Sequence, residues 1–157
     1  MSCSVYLETT IVSYYCSRPH RDIIISARQQ LTELWWGTQI KNYNVFISDL
    51  VLEESAKGDN VAAAKRLEAI SNFSILEIDD ECSDLAKILI SKKAIPAEFP
   101  EDALHIAVAA MNGIDFILTW NFAHINNAMK REKIMDVIDQ CGYICPVICT
   151  PEELLGG

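Results

Sequence analysis

The sequence predicts a single α/β domain of three layers, with a mainly parallel central sheet flanked by helices. Three observations carry that expectation. Short apolar runs rich in β-branched residues alternate with helix-like stretches along the chain, the pattern of strands joined by helical crossovers. The 157 residues suit one domain with a real core, and no repeat, low-complexity stretch or linker divides residues 1–157. Half of the residues are hydrophobic and 22% are charged, a globular rather than a disordered balance.

The elements follow in chain order. The stretch SVYLETTIVSYY, residues 4–15, reads as a buried strand that begins at Val5–Leu7, with Glu8 at the strand's C-terminal end. Asp22 is placed to cap a long helix reaching to about Asn42, with Ile24, Ala27, Leu31, Leu34 and Trp35 on one face. NVFIS forms a second strand ending near Ile47, and Ser48 or Asp49 caps a short helix that carries Glu53 and Glu54. GDNVAAAKRLEAIS is an Ala-rich helix after a glycine stop at Gly58. FSILEI is a third strand. DDECSDLAKILISKKA starts on acids and ends on lysines, which complements a helix dipole at both ends. Pro96 and Pro100 bracket a loop. PEDALHIAVAAMNG opens with proline and acids and closes on Gly113, the punctuation of a helix. DFILTW is a fourth strand, FAHINNAMKREKIMDVIDQCG a last helix, and YICPVICTPEELL a final strand and terminal turn.

Composition narrows the function classes. A net charge of −9 argues against coating nucleic acid by bulk attraction, while leaving room for a local basic patch and a metal. No apolar run approaches the ~20 residues of a membrane helix. The N-terminus MSCSVYLETT lacks the basic-then-apolar pattern of a signal peptide, so the six cysteines read as reduced cytosolic thiols. Cys141, Cys145 and Cys149 are evenly spaced, but no histidine completes a zinc set and Pro146 interrupts them, so they read as small hydrophobes.

The acids fall in a pattern. Glu8 ends the first strand. Glu54 lies in the helix after the second, three residues from Val51, beside a core-facing position; adjacent Glu53 faces elsewhere. Asp102 lies in the first turn of the helix leading to the fourth strand, and Asn121 directly follows that strand. In a parallel sheet these positions converge on one edge, where ligands gather. Clustered carboxylates raise each other's pKa unless a cation sits among them, and all-oxygen donors favour Mg²⁺ or Mn²⁺ over zinc.

In this arrangement the chain resembles the PIN-domain family, and within it the VapC-type toxins of bacterial toxin–antitoxin pairs. The resemblance spans nearly the whole chain. VYLETTIVSYY looks like the first family motif, where Asp commonly stands in place of Glu8. ISDLVLEES looks like the second, with Glu54 as its acid. EDALHIAVA looks like the third, with Asp102, and DFILTWNFAHI like the fourth, with Asn121 where many members carry Asp. The resemblance implies a PIN-like fold and a metal-dependent endoribonuclease, with Glu8, Glu54, Asp102 and Asn121 as catalytic and metal-holding positions. The longer Glu8 displaces the ion slightly and the neutral Asn121 weakens a second one, which implies one firmly held Mg²⁺ or Mn²⁺. It further implies an RNA substrate, a cognate antitoxin, a homodimer, no membrane and a cytoplasmic setting.

Around this set, Thr9 and Thr119 are placed to meet the acids or the substrate, with Thr119 favoured by its nearness to Asn121. Arg18, His20 and Arg21 in SRPHRD form the local basic cluster, and Arg18 and Arg21 are the phosphate-contact candidates. They could equally be surface arginines bridging acids such as Asp22. His105 shares a helix face with Asp102 and could hydrogen-bond it, meet RNA or simply pack. His124 is a cap or a substrate contact. KREK at 130–133 is an exposed patch, and of Trp35 and Trp36 one belongs to the core. Two rival functions are a PIN-like metal- or RNA-binding module without turnover, and a small-molecule phosphatase. The second lacks a D-x-D motif at a strand end.

Overall fold

Every strand in the sequence is a short apolar run, and each finds a parallel neighbour. In the computed structural model, which describes residues 2–156, the strands are β1 (Ser4–Leu7), β2 (Asn44–Ser48), β3 (Ser74–Leu76), β4 (Phe116–Leu118) and β5 (Val147–Cys149). They form one five-stranded, all-parallel sheet in the order β3-β2-β1-β4-β5. Val5 lies opposite Val45 on one side and Phe116 on the other. Consecutive residues Val5, Tyr6 and Leu7 are all fully buried, so both faces of the sheet are covered. The strand order reverses direction between β1 and β4, and the C-terminal ends of those two strands bound the crevice where ligands collect in such sheets.

The helices are α1 (Thr9–Cys16), α2 (Ile23–Thr38), α3 (Asp49–Ser55), α4 (Asn60–Ala69), α5 (Asp80–Ser91), α6 (Pro100–Met111) and α7 (Arg131–Gln140). Short 3₁₀ turns follow α2 and β5. Four begin as their sequences dictate: the side chains of Asp22, Ser48, Asp59 and Asp79 accept from backbone N–H groups in the first turns of α2, α3, α4 and α5. Pro100 stands at the start of α6, where its missing N–H costs nothing. Helix α1 packs on α2, α3 and α4, whereas α5 packs on α6 and α7. No helix is long and apolar enough to cross a membrane.

Three sequence expectations are corrected. The first strand ends at Leu7, just before Glu8 as expected, but the rest of the apolar stretch, Thr9–Cys16, is a helix despite its β-branched and aromatic residues. Glu8 caps that helix, and packing against its neighbours overrides propensity. The long helix from Asp22 ends at Thr38, and its face is turned from the one expected. Trp35 is buried, yet Ile24 and Leu34 are 58% and 51% exposed. Gln29 and Thr32 are buried in their place because each has a specific partner: Gln29 bonds Ser17, the Arg18 carbonyl and the His20 N–H, and Thr32 Oγ1 accepts from Trp120 Nε1. The last helix begins at Arg131 rather than near Phe122. Its expected first half is a series of turns, because the Asn121 carbonyl takes two backbone N–H groups and the Asn127 side chain bonds Met129 N and the Ala123 carbonyl.

Ile117 is fully buried in β4, between β1 and β5. Ile117→Ala is expected to destabilise the domain by about 2–5 kcal/mol, read as a lower urea midpoint with an unchanged m-value.

Candidate active site

The first acid is built into the junction of strand and helix. The Glu8 N–H donates to the Leu118 carbonyl, continuing the β1–β4 ladder one residue past the end of β1. The residue then leaves extended backbone and caps α1. Its side chain is 4% exposed, so its charge must be solvated from within. Three donors do this: Thr10 N reaches Oε2 at 3.2 Å, and the hydroxyls of Thr10 and Thr119 reach Oε1 at 2.5 and 2.6 Å. Those hydroxyl oxygens accept in turn from Trp120 N and Asn121 N, so the loop after β4 is fastened to the same carboxylate.

The second acid is held by a chain of buried polar groups. Glu54 sits one turn beyond buried Val51, and Glu53 faces solvent. Its Oε1 lies 2.7 Å from His105 Nε2 and accepts from Thr9 Oγ1 at 2.6 Å. On the other side of the ring, His105 Nδ1 lies 2.6 Å from the Tyr6 hydroxyl, which is 2.8 Å from Ser48 Oγ. Ser48 Oγ also accepts from Val51 N, completing its role as the α3 cap. Burial opposes the charged form of His105, but its hydrogen bond to Glu54 and the negative charges of Glu8, Glu54 and Asp102 outweigh this and lift it above the usual imidazole range. Burial also opposes the charged form of Glu54. The hydrogen bond and charge of His105, with help from Thr9 and Lys57, still hold that carboxyl below the usual range. Both directions describe one imidazolium–carboxylate pair. In that state His105 donates from both nitrogens, and Tyr6, whose own pKa burial drives well up, passes its proton toward Ser48.

The third group joins α6 to the loop after β4. Asp102 Oδ2 lies 2.8 Å from His124 Nδ1, and the His124 ring stacks on Phe99 with centroids 4.0 Å apart. The His124 backbone N–H donates to Asn121 Oδ1 at 3.1 Å. Asp102 and Asn121 are therefore linked through one histidine.

All four positions singled out from sequence lie at the C-terminal ends of β1, β2 and β4 or on α6 beside them. Glu8, Glu54 and Asp102 surround His105 closely enough for each charge to act on it. Among the described residues, no group of three or more His, Cys, Asp and Glu is gathered tightly enough to be a ready-made metal shell. The donors nevertheless suit a hard cation. Glu54 Oε2 and Asp102 Oδ1 accept no hydrogen bond among the described residues, and the two side chains are 25% and 16% exposed. Two open carboxylates with water completing the shell is an ordinary way to hold Mg²⁺.

Other expected residues take different places. Thr119 is fully buried and serves Glu8 instead of meeting a substrate, and Thr9 serves Glu54. His105 does not bond Asp102, its helix neighbour, but Glu54 from another element. Arg18 and Arg21 are exposed, and α1 carries them about 12 Å, one eight-residue helix, from the Glu8 end. Neither forms an ion pair among the described residues. Tyr6, Ser48 and Thr10 escaped the sequence reading. The doubled threonine after Glu8 is the local signal for Thr10; from sequence Ser48 reads only as a helix cap, and Tyr6 looks like an ordinary strand residue.

The five-stranded parallel sheet has a PIN-like fold, which two solved VapC structures share. VapC20 from Mycobacterium tuberculosis, a sarcin–ricin-loop-cleaving toxin, superposes with a TM-score of 0.60 at 16% identity, over 80% of this chain and 95% of that one. VapBC2 from Rickettsia felis, whose structure is bound to a DNA fragment from its promoter, superposes with a TM-score of 0.52 at 18% identity, over 80% of this chain and 93% of that one. No family model and no curated protein matches the sequence.

A pH dependence follows from the Glu54–His105 pair. His105 is raised above 6.5, so its stabilising contribution is complete below pH 6.5 and disappears as pH climbs through its higher folded value. Glu54 is lowered below 4.5, so its contribution is complete above pH 4.5 and disappears as pH falls through its lower folded value. In EDTA-treated protein the pair therefore stabilises most between pH 4.5 and 6.5. His105→Gln is expected to lower the urea midpoint most in that window and least at pH 9, measured as a midpoint-against-pH series.

Proposed function

We propose that the chain is a Mg²⁺- or Mn²⁺-dependent endoribonuclease, acting as a toxin that a cognate antitoxin holds in check. The observation that carries this reading is the placement of Glu8 and Glu54 past the C-terminal ends of β1 and β2 and of Asp102 on α6, with Glu54 held by His105 and Asp102 by His124. Two of those carboxylates keep an oxygen free and partly exposed to solvent. The likeness to a toxin that cleaves the sarcin–ricin loop supports RNA as the substrate. The likeness to a toxin–antitoxin complex supports the antitoxin. A second copy of the chain and a cytoplasmic setting belong to the same proposal, and the exposed apolar residues Ile23, Ile24 and Leu34 of α2 offer a surface for a protein partner.

Within this site the chain's own residues divide the work. Glu54 Oε2 and Asp102 Oδ1 are the open acceptors that would hold the ion. They would also orient an attacking water by accepting its protons. A bound Mg²⁺ or Mn²⁺ would supply Lewis acidity toward the phosphate and make water more acidic. His105 and Thr9 hold the Glu54 carboxylate by its other oxygen, so its free oxygen has a set direction. His124 does the same for Asp102, with its ring steadied by Phe99. Glu8, buried and held at Oε1 by the hydroxyls of Thr10 and Thr119, fastens the Asn121 loop at the base of the crevice.

Purified protein is expected to cleave a mixed RNA pool when Mn²⁺ or Mg²⁺ is added and to stop in EDTA. Asp102→Asn, with its fold checked by circular dichroism, should lose roughly 10²-fold or more in rate. A wild type that binds the ion but leaves RNA intact at every concentration would replace this reading with that of a binding module without turnover.

A further inference from the structure

A second polar feature lies outside the acidic crevice. Where the C-terminal end of α1 meets α4, a pocket of about 570 Å³ is lined by Cys16, Arg18, Asp59, Lys65 and Arg66 among others. In a chain of net charge −9 this pocket collects three cations against one carboxylate. That carboxylate is already engaged, because Asp59 Oδ2 accepts the Ala62 N–H as the cap of α4. Arg66 is not a loose surface arginine. Its Nε donates to the Ser55 carbonyl at 2.9 Å and its Nη2 to the Lys57 carbonyl at 2.5 Å, which fixes the plane of the guanidinium. Cys16 Sγ rests 3.8 Å from the Lys65 carbonyl, closing the α1 side of the pocket against α4.

The position of the pocket relative to the acids selects the ligand. Arg66 is anchored to Ser55, the residue after Glu54, so pocket and crevice share the end of α3. Along α1 the pocket lies about 12 Å from Glu8. At that separation the Arg18 end of the pocket suits a phosphate of the same strand other than the one beside Glu8. A fixed guanidinium with an exposed lysine and arginine beside it is a recognition set for a phosphodiester. We propose that Arg18, Lys65 and Arg66 form a seat for the backbone phosphate of RNA flanking the cleaved bond. This seat presupposes the ribonuclease reading above, with binding and cleavage measured separately.

Binding of a fluorescein-labelled single-stranded RNA to the full chain is followed by anisotropy in EDTA, across a KCl series. Arg18→Gln/Lys65→Gln removes two charges from the pocket, and Lys130→Gln/Lys133→Gln removes two from the distant α7 region as a matched control. The pocket variant is expected to flatten the slope of log Kobs against log salt by about 1.4, at about 0.7 per cation on a single strand, and the control to leave it unchanged. In Mn²⁺ the same variant should raise KM for RNA with kcat preserved. Equal slopes for wild type and pocket variant, or an equal loss in the control, would overturn the seat, whether or not RNA is cleaved. Salt-dependent binding through the pocket without cleavage in Mn²⁺ would instead overturn the nuclease reading, and with it the placing of the seat beside a cleaved bond, leaving the pocket as an RNA-phosphate site of a binding module. Inorganic phosphate in a competition arm separates the two sources of the group. Displacement of the RNA only at the cost expected from ionic strength supports a strand, and specific displacement would overturn it in favour of a small phosphate ligand.

Discussion

The structure depends on one buried carboxylate. Glu8 lies where β1 and β4 part, at the point where the strand order reverses, and it does three physical jobs with one side chain. It caps α1, it takes the hydroxyl of Thr119 from the end of β4, and through Thr10 and Thr119 it fastens the backbone of Trp120 and Asn121. A carboxylate so buried is tolerated because hydroxyl and amide donors replace its water. Take those donors away and the cost falls on the central strands, on the first helix and on the crevice at once. Fold and site are therefore not separable at this position.

The other two acids are stabilised by histidines, at different depths. His105 is within the core and approaches Glu54 from beneath the crevice, with Tyr6 and Ser48 behind it. His124 is partly exposed and approaches Asp102 from the loop after β4. Like charges placed together would ordinarily repel or take up protons. Here the buried His105 ring lies 2.7 Å from Glu54, and despite burial its hydrogen bond and charge hold that carboxyl below the usual range before any ion arrives. The arrangement leaves the outward oxygens of Glu54 and Asp102 unclaimed among the described residues, and the same histidines that pay for the charge set the direction of those oxygens.

At 16% and 18% identity to the superposed structures, little of the sequence is shared, yet the fold is. This is what a parallel sheet permits. Its core asks only for apolar residues of suitable size, whereas the ends of its strands place whatever side chains they carry at one edge.

The sequence by itself determined the alternation of strands and helices, the cap at Asp22, a cap for α3 at Ser48 or Asp49, and the convergence of Glu8, Glu54, Asp102 and Asn121 on one edge. These are local or periodic signals: a capping side chain acts within three residues, and a parallel sheet carries all its strand ends to one side. Tertiary structure alone decided the rest. Helix α1 has the composition of a strand and becomes a helix because Glu8 caps it and α2, α3 and α4 pack around it. The apolar stripe of α2 faces outward because Gln29 and Thr32 found partners inside. His105 and Glu54 are 51 residues apart, and His124 and Asp102 are 22 apart. No local pattern announces such pairs, since which histidine serves which acid depends on how α3, α6 and the loop after β4 meet in space.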